Sequence, residues 1–322
     1  MNRDRIYNFA SGPSMLPLEV LERAQAEMLN YGDTGMSIME LGADSPEFKQ
    51  IIKDAEDALR KLMNIPGNYK ILFMQGGSNS QYAAIPMNLL SAHKCADYVV
   101  SGQMSKKAYD EAKKYGDIVI AASSGGASPP YSTVPTTTRS DFRPDADYVH
   151  ICYNNTVYGT TFNDVPETGN IPLVADMTSC ICSEPVDVSK FGIIYAGAEV
   201  NIAPAGLTVV IIRSDLYGNA RSDTPSTLDY KKLVDNDNAY DSSSIWGIYM
   251  AKLVLEWIIS VGGLDEMKRR NEKKASLLYD YLDGHGQSYY SKLRYRLELN
   301  ALLFFVLIVL CSRDTEIITS RI

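Results

Sequence analysis

Residues 171–206 read IPLVADMTSC ICSEPVDVSK FGIIYAGAEV NIAPAG, and this stretch decides the fold. Its two apolar runs, 171–175 and 193–198, predict two buried β-strands. Apolar runs without polar alternation are typical of a parallel sheet that helices cover on both faces. In such open sheets, ligands bind beyond the carboxyl ends of the strands. We therefore expect Asp176, which ends the first run, and segment 197–201, which ends the second, to line one crevice.

The rest of the chain alternates apolar runs of strand length with segments of helical periodicity. This alternation predicts a doubly wound α/β fold with a mostly parallel sheet. Ser45 followed by Pro46 is typical of a helix start, because serine caps the helix and proline suits its first turn. Further strands are expected at 69–74, 97–101, 118–121 and 148–153, and helices after Pro17 and at 45–63, 81–90, 105–115, 252–259 and 264–282.

The bulk composition narrows the class of protein. The chain has 322 residues, of which 45% are hydrophobic and 22% charged, as expected for a soluble protein with one large and one smaller domain. A net charge of -8 argues against nucleic acid or an anionic membrane as a partner. Residues 1–17 contain no apolar stretch typical of a signal peptide. The five cysteines, an odd number, predict free thiols in a reducing cytoplasm, and Cys180-Ile-Cys182 alone is too weak a pattern to predict a metal site.

A glycine-rich turn, QGGSNS at 75–80, joins a predicted strand to a predicted helix. Backbone N–H groups at a helix N-terminus face a bound anion, and the helix dipole favours negative charge there. A plain connecting loop is the alternative interpretation, since such turns are common in α/β sheets. The turn by itself is therefore only a weak indication of a phosphate site.

The segment YAGAEVNIAPAGLTVVIIRSDL at 195–216, together with Asp176 at the end of the preceding strand, resembles the core of the phosphoserine aminotransferase family. Members of that family use pyridoxal 5'-phosphate (PLP) and exchange an amino group between glutamate and 3-phosphohydroxypyruvate in serine biosynthesis. The resemblance implies a PLP-dependent transferase fold, with a large domain over 16–259 and a small domain formed by 1–15 and 260–322. It also implies a homodimer in which each subunit completes the other's site.

Several positions keep residues that the resemblance assigns to PLP binding. Asp176 matches the carboxylate that holds the pyridine nitrogen protonated, which makes the ring an electron sink. Thr156 matches the threonine near the ring hydroxyl. Ser78 and Asn79 stand in the phosphate cradle, where small polar side chains donate hydrogen bonds. The resemblance thus implies that Asp176 and Thr156 are retained, and that Ser78 and Asn79 depart from the family pattern but can still donate to the phosphate.

Three positions depart from the family pattern. Val200 occupies the place of the lysine that holds the PLP aldehyde, and valine has no amine with which to do so. Lys190 is not expected to replace it, because the intervening strand carries Lys190 to the opposite end of the sheet. Met104 stands where a tryptophan stacks on the ring, and methionine offers no flat aromatic face. Glu199 replaces a glutamine near the ring hydroxyl, where a carboxylate disfavours an anionic oxygen.

Departures also affect the substrate side of the expected site. Asp44 occupies the position of an arginine that holds an anionic substrate group, so its charge is reversed. The alternative is that Asp44 merely caps the helix that starts near Pro46. Asp241 and Ser242 fall in the loop that reaches the PLP phosphate of the partner subunit, where Ser242 keeps one donor and Asp241 opposes the phosphate.

The resemblance covers about residues 6–283 and then lapses. The apolar run ALLFFVLIVL at 301–310 is too short to span a membrane, which needs about 20 residues. Two functions remain as hypotheses. The first is a phosphoserine aminotransferase that is catalytically impaired by Val200; the second is a non-catalytic relative that keeps the scaffold and binds PLP weakly and without a covalent link.

Overall fold

The computed structural model describes Arg5, Asn8, residues 10–238 and residues 244–284. Asp241, Ser242 and the apolar run 301–310 lie outside the described residues.

Within the described part of the chain, seven strands form one sheet in the order β1-β9-β8-β7-β4-β2-β3. The neighbouring pairs from β8 to β3 are all parallel, whereas β9 runs antiparallel to both β8 and β1. The prediction of a mostly parallel sheet is therefore confirmed. The strands are β1 Tyr69–Gln75, β2 Cys95–Val100, β3 Asp117–Ser123, β4 Tyr148–Cys152, the short hairpin strands β5 Asn154–Asn155 and β6 Thr160–Thr161, β7 Leu173–Asp176, β8 Ile193–Gly197 and β9 Leu207–Arg213.

Helices cover both faces of this sheet. One buried cluster contains side chains of α1, α2 and α6, and the other contains side chains of α3, α4 and α5. Successive strand residues alternate between the two clusters, which explains why the strands read as unbroken apolar runs. The helices are α1 Leu18–Glu27, α2 Pro46–Leu62, α3 Ser78–Leu89, α4 Gln103–Ala112, α5 Tyr230–Asp235, α6 Ile245–Ser260 and α7 Gly263–Gly284.

The start of α2 settles which residue caps it. The Ser45 hydroxyl accepts a hydrogen bond from Phe48 N at 3.1 Å, and Pro46 is the first helical residue. The interpretation of Asp44 as the cap is therefore wrong. Asp44 is exposed and turns back on its own loop, since a Cβ built on Gly42 would lie 3.1 Å from Asp44 Oδ1.

Helix α3 starts at Ser78 rather than at the predicted residue 81. Gly77 is the extended N-cap residue, with φ -128°, and Gly76 before it has a φ of +105°, which favours glycine. The sequence gives no apolar periodicity over the first turn, because the polar residues Ser78 and Asn79 stand there. The earlier start places both of these residues in the helix N-terminus instead of in a loop.

No single helix among the described residues is long and apolar enough to cross a membrane. Helices α6 and α7 meet the requirement only as a pair, and a bend of 83° separates them.

A buried ion pair fixes the crossover between β2 and β4. The side chain of Asp97 is fully buried on β2 and accepts hydrogen bonds from Arg143 N and Arg143 Nε, both at 2.7 Å. The same guanidinium donates to Ala96 O at 2.8 Å and to Asp117 Oδ2 at 2.6 Å, so it ties β2 to β3 as well.

We expect Arg143→Ala to lower the free energy of unfolding by about 3 kcal/mol, because it leaves the Asp97 carboxylate buried without its cation. Lys53→Ala is the matched control, since Lys53 pairs with Asp57 on the exposed surface of α2 and should have little effect. Urea denaturation of the two variants tests this. An equally small loss in both would show that the buried pair is not a structural anchor.

Candidate functional site

The carboxyl ends of β7 and β8 meet as the sequence predicts. Asp176 at the end of β7 is the register neighbour of Tyr195 on β8. Gly197, the last residue of β8, donates its N–H to Thr178 Oγ1, two residues beyond β7, at 3.1 Å. The turn after β1 joins the same region, because Gly76 N donates to Gly206 O at 3.1 Å. These contacts form one crevice at this edge of the sheet.

Asp176 is a buried carboxyl group whose hydrogen-bond partners among the described residues are uncharged. Its Oδ1 atom accepts from Thr178 N at 2.9 Å and from Thr178 Oγ1 at 2.6 Å. Burial raises the pKa of Asp176, while hydrogen bonds from Thr178 and Tyr195 act in the opposite direction. An ionised carboxylate in this position is stabilised by any cationic group that enters the crevice, and the protonated nitrogen of a pyridine ring is such a group.

The N-terminus of α3 is the candidate anion-binding part of the crevice. Ser78 is buried and Asn79 exposed in its first turn, and the helix behind them has twelve residues. Tyr82, one turn further on, lies close enough to Ser78 and to Asp176 that both influence its pKa, which burial raises. The cradle and the strand-end carboxylate therefore face the same space, as a phosphorylated pyridine ring requires.

Glu199 brings a second carboxylate into this space. A Cβ built on Gly77 would lie 3.9 Å from Glu199 Oε1, and one built on Gly197 would lie 2.7 Å from Glu199 Oε2. The Oε2 atom is buried and has no hydrogen-bond partner among the described residues. The negative charge of Glu199 also raises the pKa of Asp176. A carboxylate at the mouth of an anion cradle opposes the anion that the cradle would otherwise attract.

Val200 is 5% exposed and buried beneath the N-terminal segment. The Ser14 hydroxyl donates a hydrogen bond to Val200 O, and Ser14 N donates to Glu199 O at 3.0 Å. A Cβ built on Gly12 would lie 3.5 Å from Val200 Cγ2. The expectation for Lys190 agrees with the structure: its exposed side chain precedes β8, at the end of the sheet opposite the crevice. Neither residue supplies an amine to the crevice.

Thr156 and Met104 belong to segments on the side of β4 that is away from β7. Thr156 lies half-buried in the turn between β5 and β6, and Met104 is the second residue of α4. Asn155 joins these two elements, since it exchanges hydrogen bonds with Ser101 and a Cβ on Gly102 would lie 2.5 Å from Asn155 Oδ1. The close approach at Gly102 leaves no room for a side chain.

Aromatic rings that the sequence did not single out lie beside Met104's helix. The ring of Tyr158 would be 3.3 Å from a Cβ on Gly102, and it packs against Tyr131 with ring centroids 4.9 Å apart. The other side chains that sequence reasoning missed are Thr178, Tyr82, Tyr195 and Ser14. For Thr178 a signal was present, because Asp-x-Thr at the end of a strand favours a local hydrogen bond from the hydroxyl to the carboxylate.

The substrate-side positions are not joined to this group. Asp44 is exposed and has no hydrogen bond to the described crevice residues, and Asp241 and Ser242 lie outside the described residues. The four described cysteines are buried free thiols, as predicted, and Cys311 is not described. Among the described residues, no group of three or more His, Cys, Asp and Glu side chains could hold a metal ion.

We expect Asp176→Asn to make the ligand-free protein more stable at pH 7 but not at pH 3. The folded state raises the pKa of Asp176 above its ordinary value of about 3.9. The wild type therefore loses stability as the pH rises from 3 to 7. Asparagine keeps an oxygen for Thr178 and does not ionise. Denaturation of both proteins between pH 3 and pH 8 tests the sign; a variant that is less stable at every pH would contradict it.

Comparisons with known proteins identify the family of this chain. Residues 6–314 match the profile of the family described as Aminotransferase class-V, which extends beyond the point near residue 283 where the sequence resemblance was expected to lapse. The phosphoserine aminotransferase of Bacillus cereus is 48% identical over 280 residues, which are 87% of this chain and 77% of that protein.

Two solved structures are similar over most of this chain. The phosphoserine aminotransferase from Bacillus circulans subsp. alkalophilus superimposes with a TM-score of 0.84 at 43% identity, over 88% of this chain and 78% of that one. The PLP-bound phosphoserine aminotransferase from Trichomonas vaginalis has a TM-score of 0.81 at 37% identity, over 87% and 82% of the two chains. With its fold and its sequence both of this kind, the chain belongs to the class-V aminotransferases, in the phosphoserine aminotransferase family.

Proposed function

We propose that this protein binds PLP reversibly, without a covalent link, and catalyses the exchange of an amino group between glutamate and 3-phosphohydroxypyruvate poorly or not at all. The observation that carries the proposal is Val200, which is buried, has no amine and occupies the position that the family resemblance assigns to the lysine that holds the cofactor aldehyde. The phosphoserine aminotransferase function of the family is the starting point, and Val200 limits how much of it this chain performs.

Part of the crevice fits PLP. The N-terminus of α3 offers backbone donors and the Ser78 hydroxyl to a phosphate group. Asp176, buried and flanked by hydroxyl donors, suits a protonated ring nitrogen. When bound, the cofactor supplies an electron-withdrawing ring. Thr156, half-buried on the opposite side, supports a contact to the ring hydroxyl.

The covalent part of the site does not fit. Amino transfer requires a base that moves a proton between two carbon atoms, and in a PLP site the lysine amine does this. Neither Val200 nor Asn201 beside it has a side chain that accepts a proton at neutral pH. Glu199 could accept a proton, but its charge opposes the phosphate end of the cofactor. Exposed Asp44 adds negative charge where the family has an arginine.

The competing hypothesis is a scaffold that binds no substrate and acts through association. The retained cradle and the buried charge of Asp176 support PLP binding instead, because a buried carboxylate that serves no ligand only reduces stability.

The proposal also includes a homodimer in the cytoplasm, with a large domain over 16–259. The family membership and the four buried free thiols support these assignments.

We expect PLP to bind in equilibrium dialysis and to be removed by dialysis against buffer. After treatment with borohydride, peptide mass spectrometry should find no pyridoxyl group on any lysine. Asp176→Asn is the matched variant and should weaken binding, since it removes the charge opposite the ring nitrogen. A pyridoxyl group on Lys190 or another lysine, or binding that Asp176→Asn leaves unchanged, would contradict the proposal.

We expect Val200→Lys to restore a covalent link to PLP but little turnover of phosphoserine. The link needs one amine beside the aldehyde, whereas turnover also needs a cationic substrate pocket that Asp44 does not provide. Visible absorbance that borohydride abolishes would report the link, and a coupled assay would report turnover. Val200→Met is the control, because it adds length without an amine. Turnover at the level of the family's enzymes would show that the substrate-side changes matter less than proposed.

A further inference from the structure

A chain of buried polar side chains lies beneath Asp176 on one face of the sheet. Tyr195 is the register neighbour of Asp176, and hydrogen bonding from Tyr195 lowers the pKa of Asp176. His150 lies on β4, two residues before Cys152, which pairs with Asp176 from the other side. His150 Nε2 and the Tyr195 hydroxyl are 2.9 Å apart. We call this arrangement the Asp176–Tyr195–His150 chain.

The surroundings of His150 fix its charge and its ring plane. The ring of Tyr98, its register neighbour on β2, stacks on it with centroids 4.6 Å apart and planes at 16°. The Tyr98 hydroxyl is hydrogen-bonded to the Tyr148 hydroxyl, at 2.8 Å, and not to the histidine. Burial lowers the pKa of His150 to about 3, so the ring is neutral near pH 7. The remaining question is which of the two ring nitrogens of His150 carries the single proton.

Two proton arrangements satisfy the bond between His150 and Tyr195. In the first, Tyr195 donates to Nε2, which puts the ring proton on Nδ1 and leaves Tyr195 without a proton for Asp176. In the second, Nε2 carries the proton and donates to Tyr195, whose own proton is free to face Asp176.

The unpartnered atom of His150 decides between them. His150 Nδ1 is buried and has no hydrogen-bond partner among the described residues. Buried N–H donors without an acceptor are rare in folded proteins, and a buried acceptor without a donor is tolerated better. In the first arrangement, Nδ1 would be a buried N–H donor without an acceptor. In the second, Nδ1 is only a buried acceptor without a donor.

We infer that His150 is a positioning residue for Asp176: it is neutral, carries its proton on Nε2, donates to Tyr195 and so directs the Tyr195 proton at the Asp176 carboxylate. The result is a carboxylate that remains ionised in a buried place. Its use in holding a protonated ring nitrogen rests on the proposed function, but the proton arrangement itself does not.

The arrangement can be measured by nitrogen NMR on the full, ligand-free protein with labelled histidine rings. The chain has three histidines, so substituting His93→Gln and His285→Gln assigns the signals. We expect His150 to carry its proton on Nε2 and not to titrate between pH 5.5 and pH 8. A proton on Nδ1, or titration of His150 in that range, would overturn the inference.

A second measurement tests the link to Asp176, whose carboxyl carbon is assigned with Asp176→Asn. Tyr195→Phe removes the donor, so the titration midpoint of Asp176 should rise by about one pH unit, and His150→Gln should raise it less. Tyr98→Phe keeps the stacked ring, loses only the hydroxyl bonded to Tyr148, and should leave the midpoint in place. Equal shifts in Tyr195→Phe and Tyr98→Phe, or none in Tyr195→Phe, would contradict the inference.

Neither measurement requires the cofactor. A protein that shows the expected ring proton and midpoint shifts but binds no PLP would retain the inference and lose the proposed function. A protein that binds PLP but carries the His150 proton on Nδ1 would retain the proposed function and contradict the inference.

Discussion

The charge of Asp176, buried at the end of a strand that helices cover on both faces, is the constraint on which the crevice depends. Water cannot solvate that charge, so hydrogen bonds from the protein have to stabilise it. Thr178 and Tyr195 are placed to donate them, and His150 in turn contacts Tyr195. The same burial keeps the carboxylate available for a cation that enters from the open side. A functional group in this position reduces stability in the free protein and becomes favourable only when its partner binds.

Val200 and Glu199 change the charge balance of this arrangement. A lysine at position 200 would add a positive charge to this part of the chain even without a ligand, whereas valine adds none. Glu199 then adds a carboxylate, one oxygen of which is buried and unpartnered. Under the proposed function, the crevice keeps the groups that recognise a cationic ring and lacks some of those that hold an aldehyde and an anion.

The fold could be predicted from the sequence to a large extent, because continuous apolar runs and a Ser-Pro helix start are local signals. The start of α3 was placed too late, since Ser78 and Asn79 give no helical periodicity, and Asp44 was considered as a cap although Ser45 serves that role. The retained and lost cofactor positions came from resemblance to a family. The contacts of Ser14 and His150 could not be predicted, because they join residues far apart in the chain whose pairing only the sheet register determines.

The contact between Ser14 and Val200 joins residues 186 positions apart, and β1 likewise pairs with β9, which lies far from it in the sequence. At a ribosomal rate of about 5–20 residues per second, the segment around Ser14 would wait roughly ten to forty seconds for its partner to be synthesised. Strand β1 would spend a similar time without its only sheet neighbour among the described strands. During that interval an apolar strand lacks its neighbour, so the contacts around Val200 and the β1 edge of the sheet are completed late in synthesis.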